Sequence, residues 1–324
     1  MGSQILGAGE VGACVPSRPQ PSISLTPCSL FPYIRILNQK SVNLNAVLSQ
    51  LPSKFDTVDY SNSLLRLRRM SVNLTSASEL LSRWFHIQTG YVKSSLLIPP
   101  AQDRLALQQV FQTLNARSCP QSYNFHLHTR RSDGQLEPDE VMQQVMEIGL
   151  KGLAITDHHT TQGYKEAQHW LDQWKQNHPE LANTAPQLWT GAEINAQLLG
   201  VDVHILGYAF DPDAACLQPY LQGDTTFLRT EAYYAENVIA AIQEAGGLAV
   251  LAHPARYRRP VNEVITEAAR LGMDGIEVYY AYRHTIPWLP TAEIVNPVKQ
   301  LTDSYGLLNT CGTDTHGRDV LLRT

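Results

Sequence analysis

From Tyr123 onward the sequence predicts an α/β fold in which the strands curl into a barrel, irregular rather than split into two separate layers. Three observations predict it. Amphipathic helical stretches ending at glycine alternate with short apolar runs. About seven such runs follow one another, as a singly wound barrel needs. Histidines and carboxylates recur at the ends of those runs.

Taken in order, "YNFHLHT" (123–129) reads as a short strand, and "EPDEVMQQVMEIG" (137–149) as a helix with an acidic start and a glycine stop. "LKGLAITDHH" is the next strand, followed by a helix through "YKEAQHWLDQWKQ". "LWTGAEIN" and "VDVHILGYAF" are both strand-like. Then "AENVIAAIQEAGG" leads into "LAVLAHP", "VNEVITEAARLG" into "GIEVYY", and "PVKQLTDSYG" into "LLNTCGTDTH". Repeated helix–glycine–strand units imply right-handed crossovers and a mainly parallel sheet.

The chain divides at 69 and 121. Residues 1–69 mix Pro, Ser, Asn and Gln with broken apolar patches and read as a poorly ordered or loosely docked extension. Residues 70–121 read as a helical lead-in, two helices divided by "LLIPP". Residues 122–324 hold the barrel.

Composition excludes several classes. The net charge is -5, with 25 basic against 30 acidic residues, so no basic field exists for strong duplex binding. A local site can still take a nucleotide or a short single strand. No apolar run reaches the roughly 18 residues of a membrane helix. The five cysteines are widely spaced, odd in number and lack a CxxC pair, which disfavours both a disulfide framework and a cysteine zinc site. A reducing cytoplasmic location is the expectation, and no obligate protein partner is deducible.

Residues two apart on a strand point the same way, so His126 and His128 face one centre while Phe125 and Leu127 turn to the packing side. Asp314 and His316 pair by the same logic. His158 ends the second strand beside Asp157, Glu193 sits on the third, His204 on the fourth, and Pro254 halts the next strand just past His253. In a parallel barrel all the C-terminal strand ends open on one face. Burying Glu193 without a partner is costly, and a cation removes the objection. So many ligands exceed one ion's needs and point to two or three. Imidazole with carboxylate suits zinc, manganese or iron rather than a dedicated magnesium or calcium site. Such a cluster lowers the pKa of a bridging water and stabilises the entering and leaving oxygens of a phosphoryl displacement.

In these segments the chain resembles the PHP (polymerase and histidinol phosphatase) superfamily. "FHLHTRRSDG" resembles its HxH…SDG opening, "GLAITDHHT" its TDH segment and "GAEIN" its GxE segment; "VHILGY", "LAHPARY" and "GTDTHG" are similar to three later motifs. The resemblance implies an irregular (β/α)7 barrel with a trinuclear metal centre. By position, His126, His128, Glu193 and Asp314 would hold one ion. Glu193 would bridge to a second held by His204 and His253, and Asp133, His158 and His316 would hold a third. The implied activities are hydrolysis of nucleotide phosphomonoesters or of the terminal phosphodiesters of short RNA or DNA. The residues leave open a histidinol-phosphate-type phosphatase and a non-catalytic metal-binding scaffold.

Two catalytic candidates complete the reading: His159 for proton handling, and Arg256 to grip a phosphate through its planar donors. Arg229, Arg258 and Arg259, and Arg130 and Arg131 are further basic candidates. Tyr257 and the "YYAYRH" rim are possible stacking surfaces for a base. The family's TDH is commonly followed by Asp, where this chain has His159.

Overall fold

The computed structural model describes residues 98–223, Leu228 and 230–323. The expected extension over 1–69, the first helix of the lead-in and Arg229 lie outside the described residues.

The second lead-in helix is present as α1 (Arg104–Thr113), capped by Asp103, whose Oδ1 accepts from the amides of Leu105 and Ala106. Then follow β1 (Tyr123–Asn124), α2 (Pro138–Ile148), β2 (Gly152–Ala154), α3 (Gln162–Asn177) and β3 (Gln187–Trp189). The second half holds β4 (Gly191–Leu198), β5 (Val201–Tyr208), α4 (Ala235–Glu244), β6 (Leu248–Leu251), α5 (Val261–Arg270), β7 (Gly275–Tyr279), α6 (Ala292–Ser304) and β8 (Leu308–Cys311). Helix α2 starts on a capping box between Glu137 and Glu140 and stops at Gly149, whose φ of 78° no side chain favours.

The architecture is α/β with mixed sheets. One sheet has the order β1-β2-β3 and is parallel; the other runs β4-β5-β6-β7-β8. The expected closed ladder is not continuous. The two sheets touch through isolated parallel bridges, Leu127 to Thr315 and His158 to Glu193. Four of the six strand pairings are parallel, as expected, but β5 departs by pairing antiparallel with both β4 and β6. The cause is local. Leu199 and Gly200, with φ of 52° and 75°, make a two-residue turn that folds β4 and β5 into a hairpin. "LWTGAEIN" is likewise two strands, broken at Thr190, whose amide donates to the Ala101 carbonyl rather than to a neighbouring strand.

Phe125 and Leu127 are fully buried on the packing side, as their alternation with the histidines requires. Phe125 packs edge-on against Phe111 of α1, with ring centres 5.0 Å apart, and lies against Trp189 and Tyr208. The lead-in helix therefore backs the strand that carries the histidine pair.

One further expectation is corrected. Cys119 and Cys311 are joined by a disulfide with Cα atoms 6.0 Å apart, tying the segment before β1 to the end of β8. Spacing could not reveal it, because the partners lie 192 positions apart. Cys216 is the free cysteine among the described residues. No helix among them is long and apolar enough to cross a membrane.

Candidate metal centre

Eight of the nine expected ligands gather into three overlapping groups in which the donor atoms all lie within 4.8 Å of one another. The first is His126, His128, Glu193 and Asp314, all buried. Glu193 Oε2 lies 3.0 Å from Nε2 of both His126 and His128, and Asp314 Oδ1 lies 3.3 and 3.4 Å from the same nitrogens. The second is His128, Asp133, His158 and His316, with Asp133 Oδ2 3.2 Å from His316 Nε2. The third is His158, Glu193 and His204, where Glu193 Oε1 is 2.6 Å from His204 Nδ1. His253, the ninth residue, stands 3.5 Å from Glu193 Oε1.

Glu193 is the hub. It reaches the centre from the third position of β4, and His204 comes from the middle of β5. Neither lies at a C-terminal strand end, where both were expected; they enter the group from within their strands. In the hairpin Asn195 pairs with His204, and Glu193 lies two residues from Asn195 on the same face. The hairpin thus carries both side chains inward.

Three residues of the centre adopt left-handed backbone: His159, His253 and Asp314, with φ of 56°, 26° and 54°. Side chains are rarely held there, and such strain concentrates at functional sites. Gly312 sets the approach of the last strand. A Cβ there would lie 2.2 Å from the Cβ of His126.

The donors fit a cation. Both ring nitrogens of His128 and of His253 are buried and make no well-directed hydrogen bond, even where a carboxylate oxygen stands 3.0 to 3.5 Å away, although a buried polar atom seldom goes so poorly satisfied. The electrostatics agree. Burial opposes protonation of His128, yet the acceptors Asp314 and Glu193 push its pKa up to about 9. Burial likewise opposes ionisation of Glu193, but the charges of His126 and His204 hold it well below the usual carboxylate range. Asp314 is held low against the same burial by His126 and His128. His158 goes the other way, lowered to about 4 chiefly by burial. These are stable carboxylates facing imidazoles, which is the donor set divalent transition metals take.

Around the ligands stand residues the sequence reading missed. Glu277 is fully buried on β7; its Oε1 lies 2.9 Å from His126 Nδ1, and its Oε2 accepts from the His253 amide at 2.9 Å. A glutamate inside the apolar run "GIEVYY" was the available signal. Tyr280, offered by the sequence only as part of the "YYAYRH" stacking rim, donates to Asp314 Oδ2 at 2.5 Å, and Arg323 Nε approaches the same oxygen at 3.5 Å. No local pattern marks Arg323.

The other candidates separate. Asp157 is no ligand here: it accepts from the amide and hydroxyl of Thr129 and from Ser132, holding the loop that carries Asp133. His159 is buried at the rim with Nε2 3.1 Å from Asn195 Oδ1. Arg256 lies at the centre, donating to Asp314 Oδ2 at 3.0 Å and to Tyr280. Arg131 is engaged by Glu166 and Glu137, Arg130 by Glu137, and Arg259 by the Leu199 carbonyl and Glu263. Tyr257 links the β5 amide of His204 to the Ala252 carbonyl, a packing role.

The PHP domain family matches residues 124–265. Residues 124–265 are a PHP domain. The chain is 24% identical to a 5′-3′ exoribonuclease of Haemophilus influenzae, with 48% of this chain and 78% of the enzyme covered. It is 25% identical to a 3′,5′-nucleoside bisphosphate phosphatase of Chromobacterium violaceum, with 61% and 90% covered. A solved Chromobacterium violaceum structure described as an amidohydrolase superposes with a TM-score of 0.50 at 22% identity, covering 62% of this chain and 90% of that one; the likeness is one of fold. With a PHP domain and clustered imidazole and carboxylate donors, the chain is a metal-dependent hydrolase of the phosphoesterase kind.

Proposed function

We propose that this PHP protein hydrolyses nucleotide phosphomonoesters or the terminal phosphodiesters of short RNA or DNA, using two or three divalent ions of zinc, manganese or iron. The observation that carries the reading is the convergence of imidazoles and carboxylates on Glu193, with Arg256 2 residues past Pro254 and within 3.0 Å of Asp314. Similarity to an exoribonuclease and to a nucleoside bisphosphate phosphatase supports the nucleotide class. The bridges Leu127–Thr315 and His158–Glu193 support reading the two sheets as an irregular (β/α)7 barrel.

In this reading His126, His128, Glu193 and Asp314 hold one ion, Glu193 is shared with His204 and His253, and Asp133, His158 and His316 hold another. Bound there, divalent ions lower the pKa of water and offset charge on the phosphoryl oxygens. The chain's own residues do the rest. Glu277 orients His126 through Nδ1 and fixes the His253 backbone. His159, braced by Asn195 at the rim, is the residue this reading assigns to the proton of the leaving alkoxide. Arg256 presents its guanidinium, partly open to solvent, to phosphate oxygens.

The test is a side-by-side hydrolysis screen of a nucleoside 3′,5′-bisphosphate, 5′-phosphorylated oligonucleotides and histidinol phosphate, after metal analysis of the purified protein. The expected result is phosphate or nucleotide release from the first two, lost in Asp314→Ala and His158→Ala proteins that stay folded. Turnover confined to histidinol phosphate, or activity untouched by both substitutions, would reject the reading.

A further inference from the structure

Asp314 is a carboxylate with two sides. Its Oδ1 faces His126 and His128. Its Oδ2 accepts from Tyr280 at 2.5 Å and from Arg256 at 3.0 Å, and the Arg323 guanidinium stands beside it with Nε 3.5 Å away. Arg256 comes from the turn after β6, and Arg323 from the far end of the chain.

Arg323 does not arrive by chance packing. The segment after His316 is fastened beneath the last strand by buried donors. Asn124 Nδ2 and Thr313 Oγ1 both donate to the Val320 carbonyl, at 2.9 and 3.1 Å, and Thr315 Oγ1 donates to that of Leu322. Gln144 of α2 closes the other side, accepting from the Val320 amide and donating to the Arg318 carbonyl. Val320 itself is fully buried. This strap brings the Arg323 guanidinium over the Tyr280 ring, 5.1 Å from its centre, with Nη1 3.5 Å from the Ala281 carbonyl.

The charge balance then points to a ligand. Among the described residues Asp314 is the sole carboxylate that pairs with either guanidinium. If Asp314 is shared with a cation through Oδ1, one negative charge cannot satisfy two arginines as well. Both side chains are partly open to solvent, 42% for Arg256 and 21% for Arg323. Planar, weakly hydrated guanidiniums set side by side suit a phosphate group. They face Oδ2 of Asp314, whereas His126 and His128 face Oδ1.

We propose that Arg323, delivered by the strap, forms with Arg256 a two-guanidinium subsite for a second phosphate of the substrate, one that is not cleaved. This rests on the phosphoesterase reading above and narrows it to substrates carrying a phosphate beyond the scissile one. Nucleoside bisphosphates and 5′-phosphorylated oligonucleotides share that chemistry, and a simple phosphomonoester lacks it.

The experiment compares metal-replete wild-type, Arg323→Ala and Arg323→Lys proteins on adenosine 3′,5′-bisphosphate and on p-nitrophenyl phosphate, with metal content measured for each. For Arg323→Ala we expect kcat/KM on the bisphosphate to fall about 10- to 100-fold, mainly through KM, with p-nitrophenyl phosphate turnover and bound metal unchanged. Arg323→Lys keeps the charge without the planar fork and should lose part of that factor. An equal loss on both substrates would show that Arg323 merely holds Asp314, and no loss on either would remove the subsite; both outcomes overturn the proposal. If the wild type cleaves neither compound, the proposed function fails. The inactive protein then leaves the bisphosphate intact, and calorimetric titration still decides whether Arg323→Ala weakens its binding.

Discussion

Glu277 Oε1 lies 2.9 Å from Nδ1 of His126, while Nε2 of the same ring lies 3.0 Å from Glu193. The imidazole is thus clamped between a carboxylate behind it and the hub in front. A partner behind a ligating histidine fixes its tautomer and raises its basicity. We predict that Glu277→Gln lowers metal affinity about 10- to 100-fold, read by competition with a chromogenic chelator. An unchanged affinity would mean that His126 is oriented by packing alone.

Protonation predicts a pH optimum for the stability of the EDTA-treated protein. His128 has a folded pKa raised to about 9 from 6.5, so its contribution is whole below pH 6.5 and fades as pH rises through 9. His158 is lowered to about 4 from 6.5. The unfolded chain therefore binds more protons between those values, and stability drops as pH falls from 6.5 toward 4. Thermal melts of the stripped protein should peak near pH 6.5, and metal loading should flatten the alkaline decline. A monotonic rise through pH 9 without metal would contradict the arrangement.

The Cys119–Cys311 disulfide closes a very long loop, its cysteines lying 192 positions apart in the sequence. Loop-closure entropy makes such a link worth up to about 5 kcal/mol. Replacing both cysteines with serine should lower thermal stability by roughly 2–5 kcal/mol, with dithiothreitol reproducing the shift in the wild type. Identical melts with and without reductant would show that the link is not formed in solution.

Gly312→Ala is expected to damage the centre directly. The added methyl would sit 2.2 Å from the His126 Cβ, and also 2.6 Å from its backbone nitrogen, so strand or ligand must shift. The expected cost is about 1–3 kcal/mol of stability together with lost metal. A fully metallated, wild-type-stable variant would show that this approach is looser than described.

Much of the centre was legible in the order of the residues. His126 with His128, and Asp314 with His316, are two apart, and an extended backbone turns such pairs to one side whatever surrounds them. Most of the helices and strands from Tyr123 onward were legible for the same reason, since periodicity is a local property, but the break at Thr190 that divides β3 from β4 was not. What stayed hidden was decided between distant segments. The Leu199–Gly200 turn reverses β5 and so brings His204 in from mid-strand. Glu277 reads as an oddity in a strand until the fold brings His126 to it, and Arg323 reads as a tail residue until Asn124, Thr313 and Gln144 hold the segment that carries it. The sequence by itself determined which donors the protein has and how each strand presents them. Only the tertiary structure decided which of them share a neighbour, because hydrogen bonds and charges act across a few ångströms of space and take no account of distance along the chain.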